Sequence, residues 1–257
     1  MPKIIFLDYD NTLYSHYTRS VPSSAKDALA ELYRQGHLLI ITTGRGPESL
    51  PEIRKSIPCP CDTVICLNGQ LIYEGEEKVH ESFISMPSLQ NIFGKAQRLK
   101  LAYGGYYEHG EAVNKLDARV LRVWRDFKCP LPDVVTDMSG LPIHQGQLYL
   151  TENEAAEFKE ELKDYVVNWS HKYLMNLISR QAGKAAGIKV LMKKHHMAKE
   201  DSYAIGDGFN DVDMLKAVAH GVAMGNASDE LKAAAEFVTE HIDNDGIYKA
   251  LKHYELL

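Results

Sequence analysis

The fold is decided by Ile4-Ile5-Phe6-Leu7-Asp8-Tyr9-Asp10-Asn11-Thr12-Leu13. Four apolar residues run straight into two carboxylates spaced by one. A short apolar run of this kind reads as a strand buried on both faces, as in a parallel sheet. Side chains two apart in an extended segment point the same way, which aims Asp8 and Asp10 at one point. Converging carboxylates repel, and one pKa rises unless a cation lies between them. A hard metal ion, a nucleophile and a general acid in one place would use such a pair.

Outward from this run the chain repeats the same grammar. Ser24, with Asp27 three residues later, is expected to form a capping box ahead of a helix with Ala25, Ala28, Leu29 and Leu32 inward, ended by Gly36. A second apolar run, His37 to Ile41, ends in Thr42-Thr43-Gly44-Arg45-Gly46, and a third, Thr63 to Leu67, ends in Asn68-Gly69. Strand, helix, strand with polar strand ends is a βαβ unit, and open α/β sheets bind ligands at the carboxyl ends of their strands. Asp8, Asp10 and Thr43 are therefore expected to be neighbours.

The pattern returns near the C-terminus. A helix is expected over Lys184–Lys194, with Ala185, Ile188, Leu191 and Met192 inward. Asp201 to Ile205 leads into Gly206-Asp207-Gly208-Phe209-Asn210-Asp211, a helix follows over 212–218, and Ser228 is expected to cap another. Between these halves the text changes. Helical patterns at about 88–99 and 152–165 stand among short strand-like runs, which reads as an inserted α+β domain. The expected division is 1–78 with 178–257 as core, and 79–177 as the insert.

Bulk properties exclude several classes. The chain has 257 residues, 45% of them hydrophobic and 25% charged, with a net charge of −6. That leaves no basic excess to neutralise nucleic-acid phosphates. Lys193-Lys194-His195-His196 reads as the charged end of a helix. No stretch approaches the roughly 18 apolar residues of a membrane span. Cys59-Pro60-Cys61 lacks the spacing of a zinc or redox pair, and Cys66 and Cys129 form no second pair. Reduced thiols and a cytoplasmic location are expected.

The polar strand ends assemble carboxylates (Asp8, Asp10, Asp207, Asp211), a hydroxyl (Thr43) and a point charge (Lys184). Carboxylate oxygens without thiolates or a histidine cluster suit Mg²⁺. Such a site, with a spare carboxylate, a lysine and a hydroxyl, can handle a phosphoryl group, and one Asp can attack phosphorus to form an acyl phosphate. Alternation along the strand favours Thr43 over Thr42 as the phosphate hydroxyl. Lys189 reads as a solvated helix residue. Arg45 is left open between contacting phosphate and contacting the cap. Gly44-Arg45-Gly46 lacks the third glycine of a dinucleotide site, and Gly183-Lys184 lacks the Ser or Thr of an ATP-binding loop.

These residues resemble the haloacid dehalogenase (HAD) superfamily of aspartate-nucleophile phosphatases, in its Cof-type branch (subfamily IIB) with a large inserted cap. Asp8-Tyr9-Asp10-Asn11-Thr12 is similar to the first motif, with Asn11 where Gly is commoner. Thr43-Gly44-Arg45 fits the second motif, Lys184 the third, and Gly206 to Asp211 the fourth. The resemblance implies a Rossmann-like parallel-sheet core and a Mg²⁺-dependent phosphatase of small phosphorylated metabolites, sugar phosphates by default. It implies Asp8 as nucleophile and Mg²⁺ ligand. Asp10 would be general acid and base, with its carbonyl on the metal. Asp207 would be the second direct ligand, with Asn210 and Asp211 completing or orienting the metal shell. Thr43 and Lys184 would hold phosphate, assisted by the Asn11 and Gly44 amides. The cap is expected to set specificity, with Tyr106, Tyr107, His109, Arg119 and Arg122 as candidate contacts. The expected partner is a small phosphorylated molecule rather than nucleic acid or membrane, and the expected state a monomer or weak homodimer. Two alternatives use the same residues: a phosphomutase, which must retain and return the phosphoryl group, and a non-catalytic phosphometabolite sensor, which would not need Asp10.

Overall fold

A computed structural model describes residues 2–107 and 110–257. The chain divides into two compact units, Met1–Glu81 with Ala182–Leu257, and Ser82–Gln181. These boundaries fall a few residues beyond the expected ones.

The first unit begins with β1 (Ile4–Asp8), α1 (Ser23–Arg34), β2 (Leu38–Thr42), α2 (Leu50–Ser56), β3 (Thr63–Cys66), β4 (Leu71–Glu74) and β5 (Glu77–Glu81). In the second unit come α3 (Met86–Arg98), β6 (Ala102–Tyr107), β7 (Gly110–Val113), α4 (Ala118–Phe127), β8 (Asp133–Val134), β9 (Gln145–Tyr149), α5 (Glu152–Ala155), β10 (Tyr165–His171) and β11 (Leu174–Ser179). The first unit resumes with α6 (Lys184–Lys194), β12 (Ser202–Gly206), α7 (Val212–Ala217), β13 (His220–Ala223), α8 (Asp229–Ala234), β14 (Phe237–Val238) and α9 (Gly246–His253).

The first unit is built on one eight-stranded sheet, ordered β14-β13-β12-β1-β2-β3-β4-β5. Pairing is parallel from β14 to β3 and antiparallel at β4 and β5. Ile4, Ile5, Phe6 and Leu7 are fully buried, as their continuous apolar run requires. β1 lies between β2 and β12, with Asp8 opposite Thr42 and Leu7 opposite Ile205. The chain runs outward from β1 through β2 and β3 and later returns on its other edge through β12. β1 thus marks the switch point, where the crevice beyond the carboxyl ends opens.

α1 buries Ala25, Ala28, Leu29 and Leu32 as its periodicity predicts. The Ser24–Asp27 capping box does not form. Pro22 is the N-cap, its carbonyl accepting from Lys26 N, and Ser24 lies already inside the first turn with an unpaired hydroxyl. Ser228 does cap α8, accepting from Leu231 N. Lys194 and His195 close the end of α6 on Glu74.

The second unit is a six-stranded sheet, β10-β11-β9-β6-β7-β8. α3 packs Leu89, Ile92 and Phe93 on one face, with Leu148, Met175 and Leu177. α4 packs Val120, Val123 and Trp124 on the other, with Ala102, Val113, Tyr149 and Leu174. The helix expected over 152–165 is only α5 and one 3₁₀ turn, Ala156–Phe158. The run after Phe158 is too charged to offer a continuous apolar stripe. Tyr165-Val166-Val167 instead pairs with β11, as β-branched and aromatic residues favour.

Candidate active site

The carboxyl ends of β1, β2 and β12 bring together most of the residues that the motifs single out. Lys184, the first residue of α6, is fully buried, and its Nζ contacts Asp8 Oδ1 at 2.5 Å and Asp211 Oδ1 at 2.6 Å. Ligand atoms of Asp8, Asp207 and Asp211 lie within 4.8 Å of one another. Burial pushes the Asp8 carboxyl well above its ordinary pKa against the pull of Lys184, and pushes Asp207 up to about 6. Burial alone would lower the Lys184 ammonium, but Asp211 and Asp8 outweigh it and leave its pKa raised. Three carboxylates facing one ammonium leave a net negative centre.

Asp211 has a second job. Its Oδ2 accepts from the backbone N–H groups of Asp207 and Gly208, both at 3.0 Å. It therefore shapes the turn that presents Asp207. Thr12 donates to Asp207 Oδ1 at 3.1 Å, a contact that the motif contains but the sequence does not announce.

The other expected residues sort differently. Asp10 does not join the acid cluster, because β1 ends at Asp8 and the chain turns; Leu13 N and Tyr14 N both donate to Tyr9 O. Asp10 faces Arg45, which donates Nε to Oδ2 at 3.0 Å and Nη2 to Oδ1 at 2.6 Å. The Asn11 amide, expected on phosphate, donates instead to Tyr14 O at 2.8 Å, with Asn11 at φ 57°. Asn210, expected near the metal, donates its side-chain amide to Asn68 Oδ1 at 2.8 Å. Thr43 is buried, and its hydroxyl accepts from Arg45 N at 3.1 Å; Thr42 turns the other way and donates to Met214 Sδ. Gly44 lies against the Asn68 side chain. Lys189 is exposed.

Asn68 was legible only as a turn residue. It is buried in the left-handed conformation that Asn tolerates, its N–H donates to Thr43 O, and its side chain ties Asn210 to the β2 end. The next residue, Gly69, has φ +108°, and a Cβ there would stand 2.3 Å from the Gly183 carbonyl oxygen. That close backbone approach seats the start of α6, and so Lys184, against the β3 turn.

In the second unit, Tyr107 donates to Asp133, Arg119 pairs with Glu154 and Arg122 with Asp126. His109 lies outside the described residues. Tyr106 is register partner to Gln145. On the sheet face that α4 covers at one end, Gln145, Gln147 and Asn176 are buried polar residues, and Asn176 Oδ1 has no hydrogen-bond partner among the described residues.

Comparison with known proteins identifies the family. The family model for haloacid dehalogenase-like hydrolases matches residues 5–251. YkrA of Bacillus subtilis (strain 168) is 31% identical over 99% of this chain and 98% of its own. The solved structure of BT1666 from Bacteroides thetaiotaomicron, analysed among the phosphatases of the HAD superfamily, superposes with a TM-score of 0.89 at 31% identity, covering 100% of this chain and 96% of that one. That of BT4131, a HAD subclass IIB sugar phosphatase, superposes at 0.86 with 29% identity, covering 99% and 100%. The chain belongs to the haloacid dehalogenase-like hydrolases, as a phosphatase of the subclass IIB type.

Proposed function

We propose that the protein hydrolyses small phosphorylated metabolites through a phosphoryl-Asp8 intermediate, with Mg²⁺ as the metal. The observation that carries this reading is the buried Asp8 at the switch point, paired with Lys184 and within ligand distance of Asp207 and Asp211. The donor set is oxygen alone, which fits a hard divalent cation. Asp8 and Asp207 would hold it, with Asp211 bracing the Asp207 turn; when bound, the ion supplies charge neutralisation at the phosphate oxygens.

The chain's own residues divide the remaining work. Lys184 neutralises phosphate charge and opposes the burial that disfavours ionised Asp8. Thr43 hydrogen-bonds a phosphate oxygen. Asp8 bonds to phosphorus as the bond to the leaving oxygen breaks, and Asp10 protonates that oxygen. Asp10 then takes a proton from the water that attacks phosphorus and frees Asp8. General acid–base help of this kind is worth on the order of 10²–10⁴ in rate.

A sugar-like leaving group is the reading we favour. BT4131 is a sugar phosphatase. Three buried free thiols, Cys59, Cys61 and Cys66, fit a reducing compartment such as the cytoplasm.

The test is turnover of 4-nitrophenyl phosphate by the full chain, before and after chelation and Mg²⁺ restoration, beside Asp8→Asn. Chelation and Asp8→Asn should each remove activity while the melting curve stays cooperative. Activity in Asp8→Asn, or indifference to chelation, refutes the mechanism. A panel of phosphorylated sugars and other metabolites then ranks substrates.

A further inference from the structure

Asp10 is held from several sides, and the group that holds it is itself braced. Arg45 meets it with two prongs, Nε on Oδ2 and Nη2 on Oδ1, while His16 Nε2 donates to Oδ1 at 2.8 Å. Behind Arg45, its guanidinium carbon lies 5.0 Å from the centre of the Tyr9 ring, and Nη1 is 3.5 Å from Glu52. Tyr9 is fully buried and fixed by a 3.0 Å hydrogen bond from its hydroxyl to Ser56 Oγ. Tyr9 stacks on Tyr14, which meets His16 edge-on. The Arg45 backbone N–H is anchored on Thr43 Oγ1. A long, flexible cation is thus locked into one pose by its neighbours.

We propose that Arg45, seconded by His16, is the positioning residue for the Asp10 carboxyl, gripping both oxygens so that the side of Oδ2 not taken by Nε is presented to the departing oxygen. The inference rests on the proposed Asp8 mechanism. Oδ1 already accepts two donors, whereas Oδ2 has the single contact with Nε and keeps a lone-pair direction for a proton. As the phosphorus–oxygen bond breaks, the proton on Oδ2 passes to the leaving oxygen and the carboxyl becomes a carboxylate. Arg45 binds that carboxylate more strongly than the neutral acid. Its attraction grows along the step, which is the condition for lowering a barrier rather than tightening a ground state. In the second half, Oδ2 recovers a proton from the attacking water.

The need for this device scales with the leaving group. 4-Nitrophenolate departs as a stable anion and needs no proton, whereas phenolate is more basic and needs one. Misplacing a reacting group by about 1 Å can cost on the order of 10² in rate. Arg45→Ala should therefore lower kcat/KM, which reports the steps through departure of the leaving oxygen and not the common hydrolysis of phosphoryl-Asp8, by about 10–100-fold on phenyl phosphate and by less than about 3-fold on 4-nitrophenyl phosphate. Arg45→Lys, which keeps the charge but not the two-pronged contact, should show the same bias at smaller size, and it carries the test if the alanine variant does not fold. In an Asp10→Asn background, removing Arg45 should add less than about 3-fold on phenyl phosphate, since the two act as one unit. Equal losses of kcat/KM on both substrates, or a full further loss in the Asp10→Asn background, would overturn the proposal and assign Arg45 to phosphate binding or to structure. Failure of the Asp8 mechanism is read separately, as turnover by Asp8→Asn.

Discussion

Replacing Lys184 with Met tests the electrostatic logic of the centre most directly. The ammonium is fully buried and lies 2.5 Å and 2.6 Å from carboxylates whose side chains are only 8% and 1% exposed. At an effective dielectric of about 20, each contact carries a gross attraction of roughly 6 kcal/mol. Desolvation of the three groups offsets much of that, so the net value of the cluster is small. The loss is not small, because Met leaves Asp8 and Asp211 buried and facing Asp207 without a cation. Breaking one side of a buried pair costs about 3–5 kcal/mol. For a unit of this size that lowers the melting midpoint by roughly 6–20 °C. The measurement is the thermal transition followed by circular dichroism, in chelator, for the wild type, Lys184→Met, Asp8→Asn and the double variant. Removing one charge beforehand should reduce the cost of Lys184→Met by about 1–3 kcal/mol. A cost below about 1 kcal/mol, or an equal cost in both backgrounds, would refute the reasoning.

Other outcomes follow from individual contacts. Gly69→Ala forces a left-handed backbone and drives a Cβ onto the Gly183 carbonyl; it should destabilise by more than about 2 kcal/mol and reduce turnover by displacing Lys184, checked by urea unfolding and kinetics. Thr43→Val should lower kcat/KM on 4-nitrophenyl phosphate by about 10-fold or more, whereas Thr42→Val, which touches only Met214 Sδ by hydrogen bond, should leave it within about 2-fold. Glu154 is held down to about 2 by Arg119 and by the Thr151 cap. Its contribution is present above its ordinary value near 4.5 and is lost as pH falls toward 2, so Glu154→Gln should flatten the acid limb of the second unit's stability curve. An unchanged limb would deny that the pair matters.

The sequence was most legible where local chemistry and global fold agree. An unbroken apolar run ending in Asp8 requires a doubly buried strand, and the same pattern located β2, β3 and β12. The amphipathic spacing of α1 was equally plain, whereas α6 buries Gly187, Ile188 and Leu191 and leaves Ala185 and Met192, expected inward, only partly covered because the glycine lets the helix approach β3 on a different stripe. It was least legible where a residue's partner is remote. Nothing near Asn210 shows that it binds Asn68, and nothing in Thr12 shows that it holds Asp207. Alternation along an extended strand would aim Asp10 at the same point as Asp8, but β1 ends at Asp8, and the turn back to Tyr9 O redirects Asp10 to Arg45. In the second unit α4 went unread, although Asp117 caps it and Val120, Val123 and Trp124 have helical spacing. Its short apolar stripe sits among charged residues, so the local signal was weak.

The central position of β1 also dictates an order of events during synthesis. One edge of β1 can pair with β2 as soon as Leu38–Thr42 has emerged, but its other edge waits for β12 at Ser202–Gly206. At about 5–20 residues per second, that edge stays unpaired for roughly 8–33 s while the whole second unit is made. For that interval the nascent chain carries an open, fully apolar strand whose terminal carboxylate has neither Lys184 nor Asp207 beside it. The ribosome-bound first half is therefore the form most exposed to mispairing, and the return of the chain at Ala182 completes the hydrophobic sheet and the reactive centre together.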